Sequence, residues 1–90
     1  MIYIICMGKR HLVGTMGNAR VYVIQDDHNP PHVHVIAPGM AVRVEIRTGE
    51  VMDDQTNFNE PTVNRICKYV VLNQNEYLRV WEEINGKKRD

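Results

Sequence analysis

The eight residues Asp27-His28-Asn29-Pro30-Pro31-His32-Val33-His34 hold three of the four histidines in the chain. On an extended segment His32 and His34, two positions apart, project their imidazoles from one face. That arrangement offers two nitrogens to Zn²⁺ or another divalent transition metal. His28, or Asp27 beside it, supplies a third ligand in this reading and leaves a coordination position open, as catalytic metals require. A carboxylate such as Glu45 then orients one ring from behind.

The same residues suit metal-free acid–base chemistry on RNA. Imidazoles that titrate near neutrality take a proton from a 2′-hydroxyl and return one to a leaving oxygen. A nearby arginine, Arg43, holds phosphate with its planar fork and stabilises developing charge. The catalytic set would then be His32, His34, Arg43 and Glu45. A third reading is structural: the histidines bond loop backbone, and the polar strand edge docks a partner protein. A lone His-x-His pair is also common on half-exposed sheets that bind nothing, so the motif alone does not separate the three.

The elements that must position these residues are legible from periodicity. Arg20–Gln25 is β-branched and aromatic and reads as a buried strand. Asp26 to Pro31 breaks it, because two prolines in a row cannot donate ladder hydrogen bonds. His32–Ile36 is a second strand, Ala37-Pro38-Gly39-Met40 a turn, and Ala41–Arg47 a third strand with strict alternation. Thr48-Gly49 turns the chain, and Glu50–Asp53 reads as a short further strand. A hairpin that pairs Ile36 with Ala41 sets Val35 against Val42 and Val33 against Val44. It also places His34 opposite Arg43 and His32 opposite Glu45. A slip of one residue would destroy this match, so the pattern specifies the register.

The remainder is helical. Asn59 is an N-cap and Pro61 is tolerated in the first turn. Val63, Ile66, Cys67, Val70 and Val71 form one apolar stripe. Asn73 and Glu76 have the spacing of a capping box, and a second helix buries Tyr77, Leu78, Trp81 and Ile84. Gly86 reads as its stop. The expected fold is α+β: a three- to four-stranded antiparallel sheet followed by two C-terminal helices packed on one face.

Composition narrows the function classes. Ninety residues suit a single domain, 1–90, and a core this small is marginal enough that a homodimer or other partner would help it. Lys+Arg and Asp+Glu balance at 11 each, so no global field draws the chain to nucleic acid or acidic lipid, and any such contact must come from a local patch. Cys6 and Cys67 lie far apart and outside any CxxC pair, which points to reduced thiols and a cytoplasmic setting. The apolar opening Met1–Met7 is too short to span a bilayer and lacks a preceding basic stretch; residues 1–10 read as an extension or a first strand. Residues 87–90 read as a basic, solvated tail. No glycine cluster has phosphate-loop spacing. Tyr22, Tyr69, Tyr77 and Trp81 read as core or core-rim residues, without the basic interleaving of a single-strand RNA platform.

The stretch from Asp27 to Val35 resembles the signature of a family of small bacterial proteins, domain-of-unknown-function family 4160: Asp-His-x-Pro-Pro-His-x-His and then a β-branched residue. The resemblance runs from about Gly17 to Gly86, through the Arg20–Gln25 strand and the Gly39–Glu50 hairpin to a Trp-bearing final helix. Met1 to Arg10 departs from it, being longer than the family's usual start. The resemblance implies a cytoplasmic bacterial or phage-borne protein from a two-gene cassette of the toxin–antitoxin kind. It implies no catalytic role, but it adds weight to His28, His32 and His34 as a functional site. The leading expectation is therefore a toxin–antitoxin-like component whose histidine face acts on RNA or binds a cognate small protein. Divalent-metal binding by the same histidines is the alternative.

Overall fold

Alternation of valines with polar residues builds most of the sheet. The computed structural model describes residues 9–25, 27–53 and 55–86. Four strands, β1 (Arg10–Met16), β2 (Ala19–Ile24), β3 (His32–Ala37) and β4 (Met40–Glu45), form one antiparallel sheet in the order β1-β2-β3-β4. Two helices follow, α1 (Glu60–Leu72) and α2 (Gln74–Asn85). The expected α+β architecture holds. Of residues 1–10, expected as an extension or first strand, 1–8 lie outside the described residues and Arg10 opens β1; Cys6 and the 87–90 tail also lie outside the described residues.

The β3–β4 register pairs His32 with Glu45, Val33 with Val44, His34 with Arg43, Val35 with Val42 and Ile36 with Ala41, as the polarity match requires. Gly39 at φ 74° supplies the left-handed residue after Pro38 that this tight turn needs. The expected third strand ends two residues early, at Glu45. Beyond it, Val51 makes an isolated bridge to Val44 in place of a full strand, and Met52 N–H donates to the Arg43 carbonyl.

β1 is the strand that periodicity did not reveal. Its ladder with β2 shifts between Leu12 and Gly14, so a bulge breaks the alternation at Val13. A Cβ on Gly14 would lie 2.6 Å from the Tyr77 hydroxyl and 2.8 Å from that of Tyr69. Only glycine lets the two helical tyrosines approach the strand this closely.

The helices cover the face that carries Val21, Val23, Val33, Val35, Val42 and Val44, to which they add Ile66, Val70, Tyr77 and Trp81. Each fully buried valine contributes about 1.5–3 kcal/mol of transfer free energy. α1 starts as expected: the Asn59 side chain accepts from Thr62 N–H at 2.9 Å, and Pro61 sits in the first turn. Two expected caps differ. Asn73 joins the helices, and its side chain donates back to the Tyr69 carbonyl at 2.8 Å, so no capping box forms with Glu76. Gly86 stays right-handed at φ −67°, so α2 ends without the left-handed turn.

Candidate functional site

The connection between β2 and β3 ends in two prolines whose carbonyls are both used. Pro31 accepts from Ile46 N–H at 3.0 Å, which ties the entry of β3 to the far end of β4. Pro30 lies 2.8 Å from Nδ1 of His32. A carbonyl oxygen can only accept, so Nδ1 carries the proton and a neutral His32 ring leaves its lone pair on Nε2.

That Nε2 is buried. It lies 3.0 Å from Oδ2 of Asp27, but the direction is wrong for a hydrogen bond, and the atom has no hydrogen-bond partner among the described residues. His34, the next residue on the same face, places its Nε2 2.9 Å from the same Asp27 oxygen, in hydrogen-bond geometry. The ligand atoms of Asp27, His32 and His34 therefore fall within 4.8 Å of one another. Ligands about 2.1 Å from an ion and about 90–109° apart stand about 3.0–3.4 Å from each other, close to the Asp–His separations here. The Trp81 ring, 5.4 Å from that of His32 between centroids, closes the buried side, and the His32 side chain is 2% exposed against 22% for His34.

Electrostatics set the protonation states. Burial pushes the Asp27 carboxyl up, but the His34 hydrogen bond, the charges of both rings and the His28 backbone N–H outweigh it and hold the group below its usual value. Burial holds His34 below its usual value, which the Asp27 contact only partly offsets. Asp27 is thus ionised and His34 neutral near pH 7, the forms in which both ligate metals.

Of the expected site residues, His32 and His34 converge and His28 does not. The His28 side chain is 90% exposed, with Nδ1 3.9 Å from Asp27 Oδ1, and Asp27 occupies the third position. Arg43 is on the expected face, opposite His34, but it is already engaged. Asp53 accepts from Arg43 Nε at 2.8 Å and from its backbone N–H at 2.7 Å. Burial raises Asp53, but these bonds and the Arg43 charge outweigh it and hold the carboxyl low. Glu45 lies opposite His32, half-buried, and its carboxylate makes no hydrogen bond or ion pair among the described residues. It does not orient the His32 ring; Pro30 does.

Sequence reasoning gave Asp53 no role and read Trp81 as helix core. An arginine on a half-buried face needs an acidic partner, which was the available signal for Asp53. Nothing in the order of residues placed Trp81 beside a histidine.

A family model described as domain of unknown function DUF4160 matches residues 19–82. The chain belongs to the DUF4160 family. The match takes in Asp27, His32, His34, Asp53 and Trp81 and begins after β1. No curated protein and no solved structure matches this DUF4160 chain. No helix among the described residues is long and apolar enough to cross a membrane.

Proposed function

We propose that this DUF4160 domain binds one divalent transition-metal ion through Asp27 Oδ2, His32 Nε2 and His34 Nε2. The observation that carries the reading is the buried Nε2 of His32. It lies 3.0 Å from a carboxylate oxygen at which it is not aimed, and it makes no hydrogen bond among the described residues. A buried polar nitrogen left without a hydrogen bond is costly, and a cation seated against both this nitrogen and the Asp27 oxygen would turn the idle contact into two ligand bonds. The Pro30 carbonyl on Nδ1 is the outer contact that metal-bound histidines commonly keep.

Two imidazoles and one carboxylate leave positions for water or a substrate atom, on the side where His34 is the more exposed ring. Such a site supports Lewis-acid or hydrolytic chemistry as readily as storage of the ion. The metal-free nuclease reading has less support. A phosphate would have to displace Asp53 from Arg43, and His32 is too buried to meet a 2′-hydroxyl.

The test uses protein purified without a histidine tag. Elemental analysis and calorimetric titration with Zn²⁺, Mn²⁺ and Fe²⁺ should give one ion per chain. Free metal at a hundredfold excess over Kd should stabilise the fold by about 2.7 kcal/mol. His34→Ala should abolish both, and His28→Ala should change neither. Equal binding by wild type and His34→Ala, or no binding of any of the three ions, overturns the proposal.

A further inference from the structure

The helices cover one face of the sheet, and among the described residues no layer covers the other. On that open face a groove of about 510 Å³ is lined by Arg10, Arg20, Tyr22, Ile36 and the β3–β4 turn at Pro38. The Arg10 guanidinium carbon lies 4.6 Å from the centre of the Tyr22 ring. Neither Arg10 nor Arg20 has an ion pair among the described residues, and no acidic residue lines the groove. In a chain of zero net charge, two arginines without an acidic partner among the described residues make a local positive patch. Arg10 comes from β1 and reaches Tyr22 only through the strand pairing, which is why the linear order shows no basic–aromatic interleaving.

We infer that this open sheet face binds single-stranded nucleic acid, with a base stacked at the Tyr22–Arg10 pair and the adjoining phosphate held by Arg20. The chemistry is complementary at each point. A flat ring with a guanidinium over it stacks any base, because every base has a π face. The unpaired Arg20 guanidinium presents a planar fork of donors to phosphate oxygens. Half-buried Ile36 gives the groove an apolar contact against which a base loses water. Tyr22 is also the cross-strand partner of His34, so a strand lying in the groove passes beside the proposed metal ligands. Binding itself needs no metal.

Fluorescence anisotropy of a short labelled oligouridylate, measured in EDTA at low salt, tests this independently of the metal site. Wild type should bind, and Tyr22→Phe should bind equally. Tyr22→Leu should weaken binding about tenfold, the order of one lost base stack. Replacing both Arg10 and Arg20 with glutamine should weaken it at least as much and lower the log–log salt slope by about 0.7, the value for the one phosphate contact held by Arg20. The arginines are exposed, so their replacement should lower the melting temperature by no more than the few degrees that the Arg10–Tyr22 contact is worth, and a cooperative unfolding transition well above the assay temperature rules out unfolding as the cause. No binding at low salt, or an affinity indifferent to the two arginines, overturns the inference. Free uridine monophosphate competing as well as the oligomer would reassign the groove to a single nucleotide. Concentration-dependent self-association lost in Arg20→Glu, without oligonucleotide binding, would reassign it to a second copy of the chain.

Discussion

Replacement of Gly14 by alanine tests whether β1 is a working part of this fold. The family match begins after β1, yet Tyr69 and Tyr77 press on it from the two helices. Gly14 is not among the glycines with positive φ, so its backbone accepts an L-residue and only space opposes the change. The added Cβ would lie 2.6 and 2.8 Å from two hydroxyl oxygens, where ordinary contact begins at 3.4 Å. One or both rings must therefore retreat by more than half an ångström. Tyr77 is 1% exposed and has nowhere to go without displacing the valine core. Overpacking of this kind costs about 1–3 kcal/mol, and the better strand preference of alanine returns about 0.5–1. The net loss, about 1.2 kcal/mol at the middle of both ranges, lowers the melting temperature by about 5–10 °C in a domain this size. Thermal unfolding followed by circular dichroism reads it directly. A second variant locates the cause. The Tyr77 hydroxyl is buried, facing Tyr69 without reaching hydrogen-bond geometry, so Tyr77→Phe alone should cost little. Combined with Gly14→Ala it should recover a large part of the loss. A Gly14→Ala protein as stable as wild type, or a double variant with no recovery, refutes the packing described here.

Two further outcomes follow from the site. Burial keeps His34 below its usual 6.5, so between its folded value and 6.5 the unfolded chain holds a proton that the native ring refuses. Asp27, held below 3.8, adds the same sign at lower pH: its contribution is complete above 3.8 and lost as pH falls through the folded value. Stability in EDTA should therefore fall steadily as pH drops below 6.5, and urea midpoints that rise on acidification would contradict it. The Arg43–Asp53 pair is partly exposed, with side chains 43% and 24% accessible, so its ionic part is worth at most about 1 kcal/mol. The Asp53 bond to the Arg43 backbone adds about 1 more, and Asp53→Ala should cost about 1–2 kcal/mol by urea unfolding; an unchanged midpoint would show that the clasp is idle.

The register of β3 against β4 was legible because polar meets polar at His32–Glu45 and His34–Arg43, and apolar meets apolar at Val33–Val44, Val35–Val42 and Ile36–Ala41. β1 was not, since a bulge and an interior glycine erase the alternation on which strand recognition depends. At the site, the convergence of His32 and His34 followed from their spacing. Which of two neighbours joins them did not, because Asp27 and His28 lie in an irregular segment where direction is set by backbone path, not period. Arg43 illustrates a different limit. Its partner Asp53 is ten residues on, past a turn, and returns to β4 through an isolated bridge that leaves no repeating pattern. The Asn73–Glu76 spacing misled for a simpler reason: one asparagine ends α1 and starts α2, and the carbonyl of Tyr69 claimed its side chain first.

The two ends of the proposed ligand set, Asp27 and His34, are only seven residues apart. An ion there would cross-link a short stretch of chain and not distant layers, and closing so small a ring removes little freedom from the unfolded polymer. Loading and release would be felt mainly by the corner between β2 and β3, as a local stiffening of its amides against hydrogen exchange, while the valine layer beneath keeps its own rhythm of opening.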